Sequence, residues 1–222
     1  MQNQLEIDNW IHSLKTPAGL KAQLKMAPLL REEELMKFKD IASTHQSGVL
    51  VLLYDSGNKL KLLLTLRSQK LRKHGGQVSF PGGKQDKTDN DIVETAMREA
   101  WEEVGIDTKN LILLGELSSL IIPITGFNVH PIVAYCAGKP SIRTSTDEVE
   151  RVIEAPIRDL CDTRNIKTKL FKNSTSGKSL KAPYFDIQGV EIWGATAMII
   201  SELIITLFPD SEYSTFINPI VS

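Results

Sequence analysis

Three glutamates, Glu99, Glu102 and Glu103 in REAWEEVGI (98–106), are the residues of this 222-residue chain whose type and spacing best suit chemistry. On a helix the spacing i, i+3, i+4 brings all three carboxylates to one face, where like charges repel. Such a face is either an ordinary solvated surface or one whose repulsion a divalent cation offsets. Mg²⁺ prefers oxygen ligands, keeps several waters and bridges carboxylates to substrate phosphates. Upstream, PGG (81–83) supplies backbone that an ion or a diphosphate can approach without side chains in the way.

Several elements must position these groups. Asp91 and Glu94 form a capping-box-like start and Gly105 stands where a left-handed C-cap is wanted, which bounds the acid helix. Val93, Ala96, Met97, Ala100, Trp101 and Val104 make its apolar stripe, so the acids are expected to face away from the core. SGVLVLLY (47–54) and KLKLLLTLR (59–67), separated by the turn-rich DSGN, predict a hairpin. NLILLGEL (110–117), HPIVAYCA (130–137) and VERVIEAP (149–156) predict strands, 167–187 a loop-hairpin region, and GATAMIISELIITLF (194–208) a closing helix. Strands interleaved with two principal helices give an α/β (α+β) sandwich of helices on a mixed sheet rather than a βαβ repeat. The expected organisation is a helical extension over 1–44, a main domain over 45–210 and a tail over 211–222.

Bulk properties point to no macromolecular partner. Charged residues make up 24% of the chain and the net charge is -1, so nucleic acid is not expected as a ligand. Cys136 and Cys161 lack metal-ligand spacing and suit a reducing interior. The N-terminus carries no signal-like pattern, no run of eighteen apolar residues occurs, and the C-terminus does not match a peroxisomal address. The expectation is a soluble protein without membrane contact, cytoplasmic if bacterial, with a homodimer left open.

PGGKQDKTDNDIVETAMREAWEEVGI resembles the Nudix box, the signature of hydrolases that split a nucleoside diphosphate linked to another moiety. Gly83, Arg98, Glu99, Ala100, Glu102, Glu103, Gly105 and Ile106 match the pattern, while Asp89 replaces a glutamate and stands one residue out of register. The resemblance implies an α/β/α sandwich, with Mg²⁺ or Mn²⁺ held by the Gly83 carbonyl and by Glu99, Glu102 and Glu103. Arg98 would orient a glutamate through a charge-assisted hydrogen bond.

LLTLRSQKLRKHGGQVSFPGG (63–83) fits a second pattern, L-L-T-x-R-[SA]-x3-R-x3-G-x3-F-P-G-G, at every fixed position, and resembles the coenzyme A diphosphatase subfamily. WGATAMI (193–199) is reminiscent of the same subfamily. Coenzyme A carries an extra 3′-phosphate, and Arg67 and Arg72, with Lys70, Lys73 and His74 nearby, are the cations that would grip it. From charge alone the segment would be a solvated basic turn. Gly82 and Gly83 would leave room for the diphosphate.

The implied reaction is attack of an ion-activated water on one phosphorus, giving 3′,5′-ADP and 4′-phosphopantetheine. Glu102 or Glu103 would take the proton, or else Glu148, ahead of Glu150, from the later loop TSTDEVERV (144–152). His130 reads as structural. The competing readings are hydrolysis of ADP-ribose or a dinucleoside polyphosphate, and a non-catalytic nucleotide-binding module.

Overall fold

The computed structural model describes residues 2–28, 45–70, 75–122, 125–172 and 179–218. Within them, helices α1 (Gln4–Ser13) and α2 (Leu20–Leu24) precede strands β1 (His45–Ser56), β2 (Lys59–Arg67), β3 (Val78–Ser79) and β4 (Gly82–Lys84). Helix α3 (Ile92–Val104) carries the three acids. Then come β5 (Ile112–Glu116), β6 (Leu120–Ile122), β7 (Phe127–Cys136), β8 (Val149–Pro156), α4 (Ile157–Cys161), β9 (Ile166–Lys172), β10 (Ser179–Ile187), β11 (Val190–Trp193) and α5 (Gly194–Leu207).

Strand β1 is central because its sequence is apolar on both faces, as a strand covered on two sides must be. Leu50, Leu52 and Tyr54 pack with Ala96, Ala100 and Val104 of α3. The alternate residues Val51 and Leu53 join α5 through Ala197, Ile200 and Leu203 on the opposite face. The path β3-β2-β1-β7-β5 forms the sheet's spine, with β4 on β1, β6 on β7 and β8 on β2. β1 and β7 run parallel and the other pairs antiparallel, so the sheet is mixed and lies between helical layers. Ser56 pairs with Lys59 across Gly57 and Asn58, the expected hairpin.

The segment expected as a loop-hairpin region is more ordered than that: β9, β10 and β11 make a separate three-stranded antiparallel sheet, with Phe171 stacked on Trp193. Helix α1 buries Ile7 and Trp10 in the α5-side core. The rest of the helical reading of the first forty-odd residues falls largely on 29–44, outside the described residues.

Glu202 of α5 is fully buried and satisfied, accepting from Gly19 N (2.8 Å), Gln23 Nε2 (2.7 Å) and Ser118 N (3.2 Å). Those donors compensate its lost hydration and tie α2 to α5. Among the described residues no helix is long and apolar enough to cross a membrane.

Candidate active site

Helix α3 is fixed at both ends by local chemistry. Asp91 caps it by accepting from Glu94 N at 2.8 Å, and Gly105, with φ of 64°, closes it with a bond from its N–H to Trp101 O at 2.9 Å. The cap is only half of the expected box, because the Glu94 carboxylate accepts from Asn90 N rather than from Asp91. Gly48 lets the helix lie directly on β1: a Cβ there would stand 2.6 Å from Ile92 O and 3.0 Å from Ala96 N.

Two expectations about this helix need correction. Trp101 is 61% exposed and not part of the buried stripe. The row Val93, Met97, Trp101 turns about 40° at each i+4 step, which carries its last member past the covered side of the helix. Nor do all the acids face away from the core, since Glu103 is only 2% exposed. It stands about 60° round the helix from Ala100, close enough to the stripe to be covered.

The glycine loop is bonded into the sheet. β4 pairs with β1 in the register Ser47 to Lys84, Gly48 to Gly83 and Val49 to Gly82, and Ser47 Oγ donates to Gly83 O at 2.7 Å. At Gly83 a Cβ would lie within 2.5 Å of both Glu99 carboxylate oxygens, so only glycine leaves that carboxylate its place.

Arg98 joins this loop to the acid face. Its Nε and Nη2 donate to Asp89 Oδ1 and Oδ2, each at 2.9 Å, and Nη2 also reaches Lys84 O at 3.3 Å. Its Nη1 donates to Glu99 Oε1 at 2.8 Å and Glu102 Oε2 at 3.1 Å. Arg98 holds the Asp89 carboxyl well below the usual carboxylate range, with help from Asp86 N and Thr95 Oγ1. Asp89, the residue out of register with the Nudix pattern, is therefore the anchor of this loop. Thr95, which sequence reasoning did not single out, gave no signal beyond its place one helical turn after Asp91.

Arg67 at the end of β2 reaches the same face, its Nη1 standing 3.4 Å from Glu103 Oε1. Burial pushes Glu103 up to about 7, against the pull of Arg67 and with repulsion from Glu148 and Glu99. Its Oε2 is buried without a hydrogen-bond partner. Burial likewise raises Glu99, Arg98 opposing, with Glu102 and Glu148 adding to the rise. Glu148 adds repulsion to both glutamates from the loop before β8, where its own carbonyl accepts from Ser68 N at 2.8 Å. Glu150 lies exposed on β8. His130, by contrast, sits in a polar network with Glu116 (2.6 Å) and Gln46 (2.8 Å). Arg72, Lys73 and His74 lie outside the described residues.

The donor set suits a hard divalent ion: carboxylates and a carbonyl only, an orphaned buried oxygen on Glu103, and a cradle at Gly83 that a Cβ would fill. Among the described residues no three acidic, histidine or cysteine side chains converge on one point, because Arg98 draws Glu99 and Glu102 while Arg67 draws Glu103.

The NUDIX domain family model matches residues 44–168, which contain the acid helix, its glycine loop and Glu148. An uncharacterized Nudix hydrolase NudL of Pectobacterium atrosepticum is 37% identical over 182 residues, covering 82% of this chain and 88% of that protein. The peroxisomal coenzyme A diphosphatase ndx-8 of Caenorhabditis elegans is 36% identical over 150 residues, 63% of this chain and 64% of the worm protein. A crystallised NUDIX hydrolase from Alicyclobacillus acidocaldarius covers 78% of this chain and 97% of its own, at 17% identity and a TM-score of 0.48. On the family match and the bacterial relative, this chain belongs to the Nudix family of hydrolases.

Proposed function

We propose that this Nudix hydrolase cleaves the diphosphate of coenzyme A or of its derivatives, releasing 3′,5′-ADP and the (acyl-)4′-phosphopantetheine. The observation that carries this reading is the meeting of two motifs in space: Arg67, from the L-L-T-x-R pattern, lies against Glu103 of the acid helix. Only one guanidinium nitrogen makes that contact, so the planar fork retains donors for a phosphate. The similarity to a worm protein named as a coenzyme A diphosphatase supports the same choice.

In this reading Glu99, Glu102, Glu103 and the Gly83 carbonyl hold Mg²⁺ or Mn²⁺, with Gly82 and Gly83 leaving room for the diphosphate. Divalent ions, which Nudix hydrolases generally need, supply charge neutralisation and a lowered water pKa when bound. Arg98 fixes Glu99 and Glu102 against the loop. Ser47 Oγ donates to the Gly83 carbonyl and holds the glycine loop in place beside the acid face. Glu148, or a glutamate of the helix itself, takes the proton from the attacking water. Arg67 and Arg72 grip the 3′-phosphate. Two free thiols, Cys136 and Cys161, support a reducing compartment such as the cytoplasm.

The test is a comparison of coenzyme A with dephospho-coenzyme A, which differ only in the 3′-phosphate. Losing one charge-assisted pair costs about 1.5–3 kcal/mol, on the order of tenfold to a hundredfold in kcat/KM. Arg72→Ala should weaken that preference while leaving dephospho-coenzyme A hydrolysis largely intact, whereas Arg67→Ala, which also removes the partner of Glu103, should slow both substrates. Equal rates in the parent enzyme would refute the assignment, and preferential cleavage of ADP-ribose would replace it.

A further inference from the structure

The acid face has a neighbour that the reaction as described leaves unused. A cleft of 670 Å³ opens beside the C-terminal end of α3 and shares Glu102 with the acid face. Its volume falls within the usual range for a small-molecule site. The exposed indole of Trp101 and the Arg143 side chain line it, with Asp107, Asn110 and Lys139 and the hydroxyls of Ser141, Thr144 and Ser145 adding polar groups. The loop that bears Arg143 is strapped to the helix by Arg143 N to Val104 O (2.8 Å) and Ser145 N to Glu103 O (2.9 Å). It continues to Glu148, whose carbonyl meets Ser68 beside Arg67. One wall therefore runs from the cleft, past the acid face, to the basic end of β2.

We propose that this cleft receives the arm of the substrate that lies across the diphosphate from Arg67: a neutral, amide-bearing chain of the pantetheine type. The assignment rests on the coenzyme A reading above and adds a second subsite to it. Charge selects the arm. The lining holds two acids, Glu102 and Asp107, against two cations, Lys139 and Arg143. Lys139 already pairs with Glu154 at 2.8 Å, so the cleft presents no surplus of positive charge for a further phosphate. An uncommitted aromatic face beside side-chain amide and hydroxyl groups suits a chain of methyls and amides instead.

The two reaction products separate the two subsites, and calorimetry reads them without turnover. Trp101 is largely exposed, so Trp101→Ala leaves the core untouched. With Mg²⁺ present, affinity for 4′-phosphopantetheine should fall roughly tenfold in Trp101→Ala and recover in Trp101→Phe, while affinity for 3′,5′-ADP stays unchanged. Unchanged affinity for both products overturns the proposal, as does a loss confined to 3′,5′-ADP, which would put the nucleoside in the cleft. Coenzyme A turnover by the parent enzyme is measured alongside. Its absence would end the substrate reading, whereas the binding pattern judges the cleft by itself.

Discussion

Arg98 grips Asp89 with two parallel hydrogen bonds of 2.9 Å each, and the Asp89 side chain is only 3% exposed. The loop before the acid helix is thereby clamped to the helix's second and third turns by a bidentate ion pair. Asp89→Asn keeps the shape and removes the charge. It should destabilise the protein by about 1.5–3 kcal/mol, a fall in Tm of roughly 3–12 °C for a domain of this size. Thermal unfolding in the absence of divalent ions measures it, and an unchanged Tm would show that the pair contributes nothing.

Two glycines should fail in different ways. A Cβ at Gly48 meets backbone atoms of α3, which cannot step aside, so Gly48→Ala should cost about 1–3 kcal/mol of stability. A Cβ at Gly83 meets the far end of the Glu99 side chain, which can swing away. Gly83→Ala should therefore keep its Tm within a few degrees and lose most of its turnover. Chemical denaturation and a phosphate-release assay on both variants distinguish packing from ligand placement.

Glu102→Gln and Glu103→Gln should each abolish turnover without unfolding the protein. Mn²⁺ should raise the Tm of the parent and raise it less in both variants, because an ion that binds only the folded state stabilises by mass action. Near-normal activity of either variant at limiting Mn²⁺ would remove that carboxylate from the ligand set.

Glu154 gives a pH dependence remote from the acid face. Burial opposes its ionisation, but Lys139, Tyr54 and Lys61 outweigh it and bring the carboxyl down to about 2 from its usual 4.5. A carboxyl lowered in the folded state stabilises fully above its unfolded value, and that contribution disappears as the pH falls from about 4.5 towards 2. The Tm difference between the parent and Glu154→Gln should accordingly be widest at pH 6 and shrink on acidification. A difference independent of pH would dismiss the linkage.

Local signals in the sequence were enough to locate the acid helix, because its start at Asp91 and its stop at Gly105 are written in neighbouring residues. The hairpin of β1 and β2 was legible for the same reason. What escaped depends on partners distant in the chain. Nothing around Glu103 reveals that it is covered, since Arg67 and Gly82 approach it from another part of the fold. Trp101 reads as apolar stripe until the width of the sheet beneath the helix is known. The three-stranded sheet of β9 to β11 needed β11 to complete it, a strand of four residues too short to show a period.

The pairing of β4 with β1 bears on how the site opens. Leu50 N donates to Pro81 O at 2.8 Å and Gln85 N to Gln46 O at 2.9 Å, so both flanks of the glycine segment are stitched to the most buried strand of the molecule. Segments that open locally are those with few such attachments; this one shares its fate with the core. Amide protons within 82–85 that are bonded to β1 should exchange with solvent at rates close to those of Leu52 and Leu53, through global rather than local opening. A substrate arriving at this surface would meet a loop already in place, and ordering it would subtract nothing from the affinity.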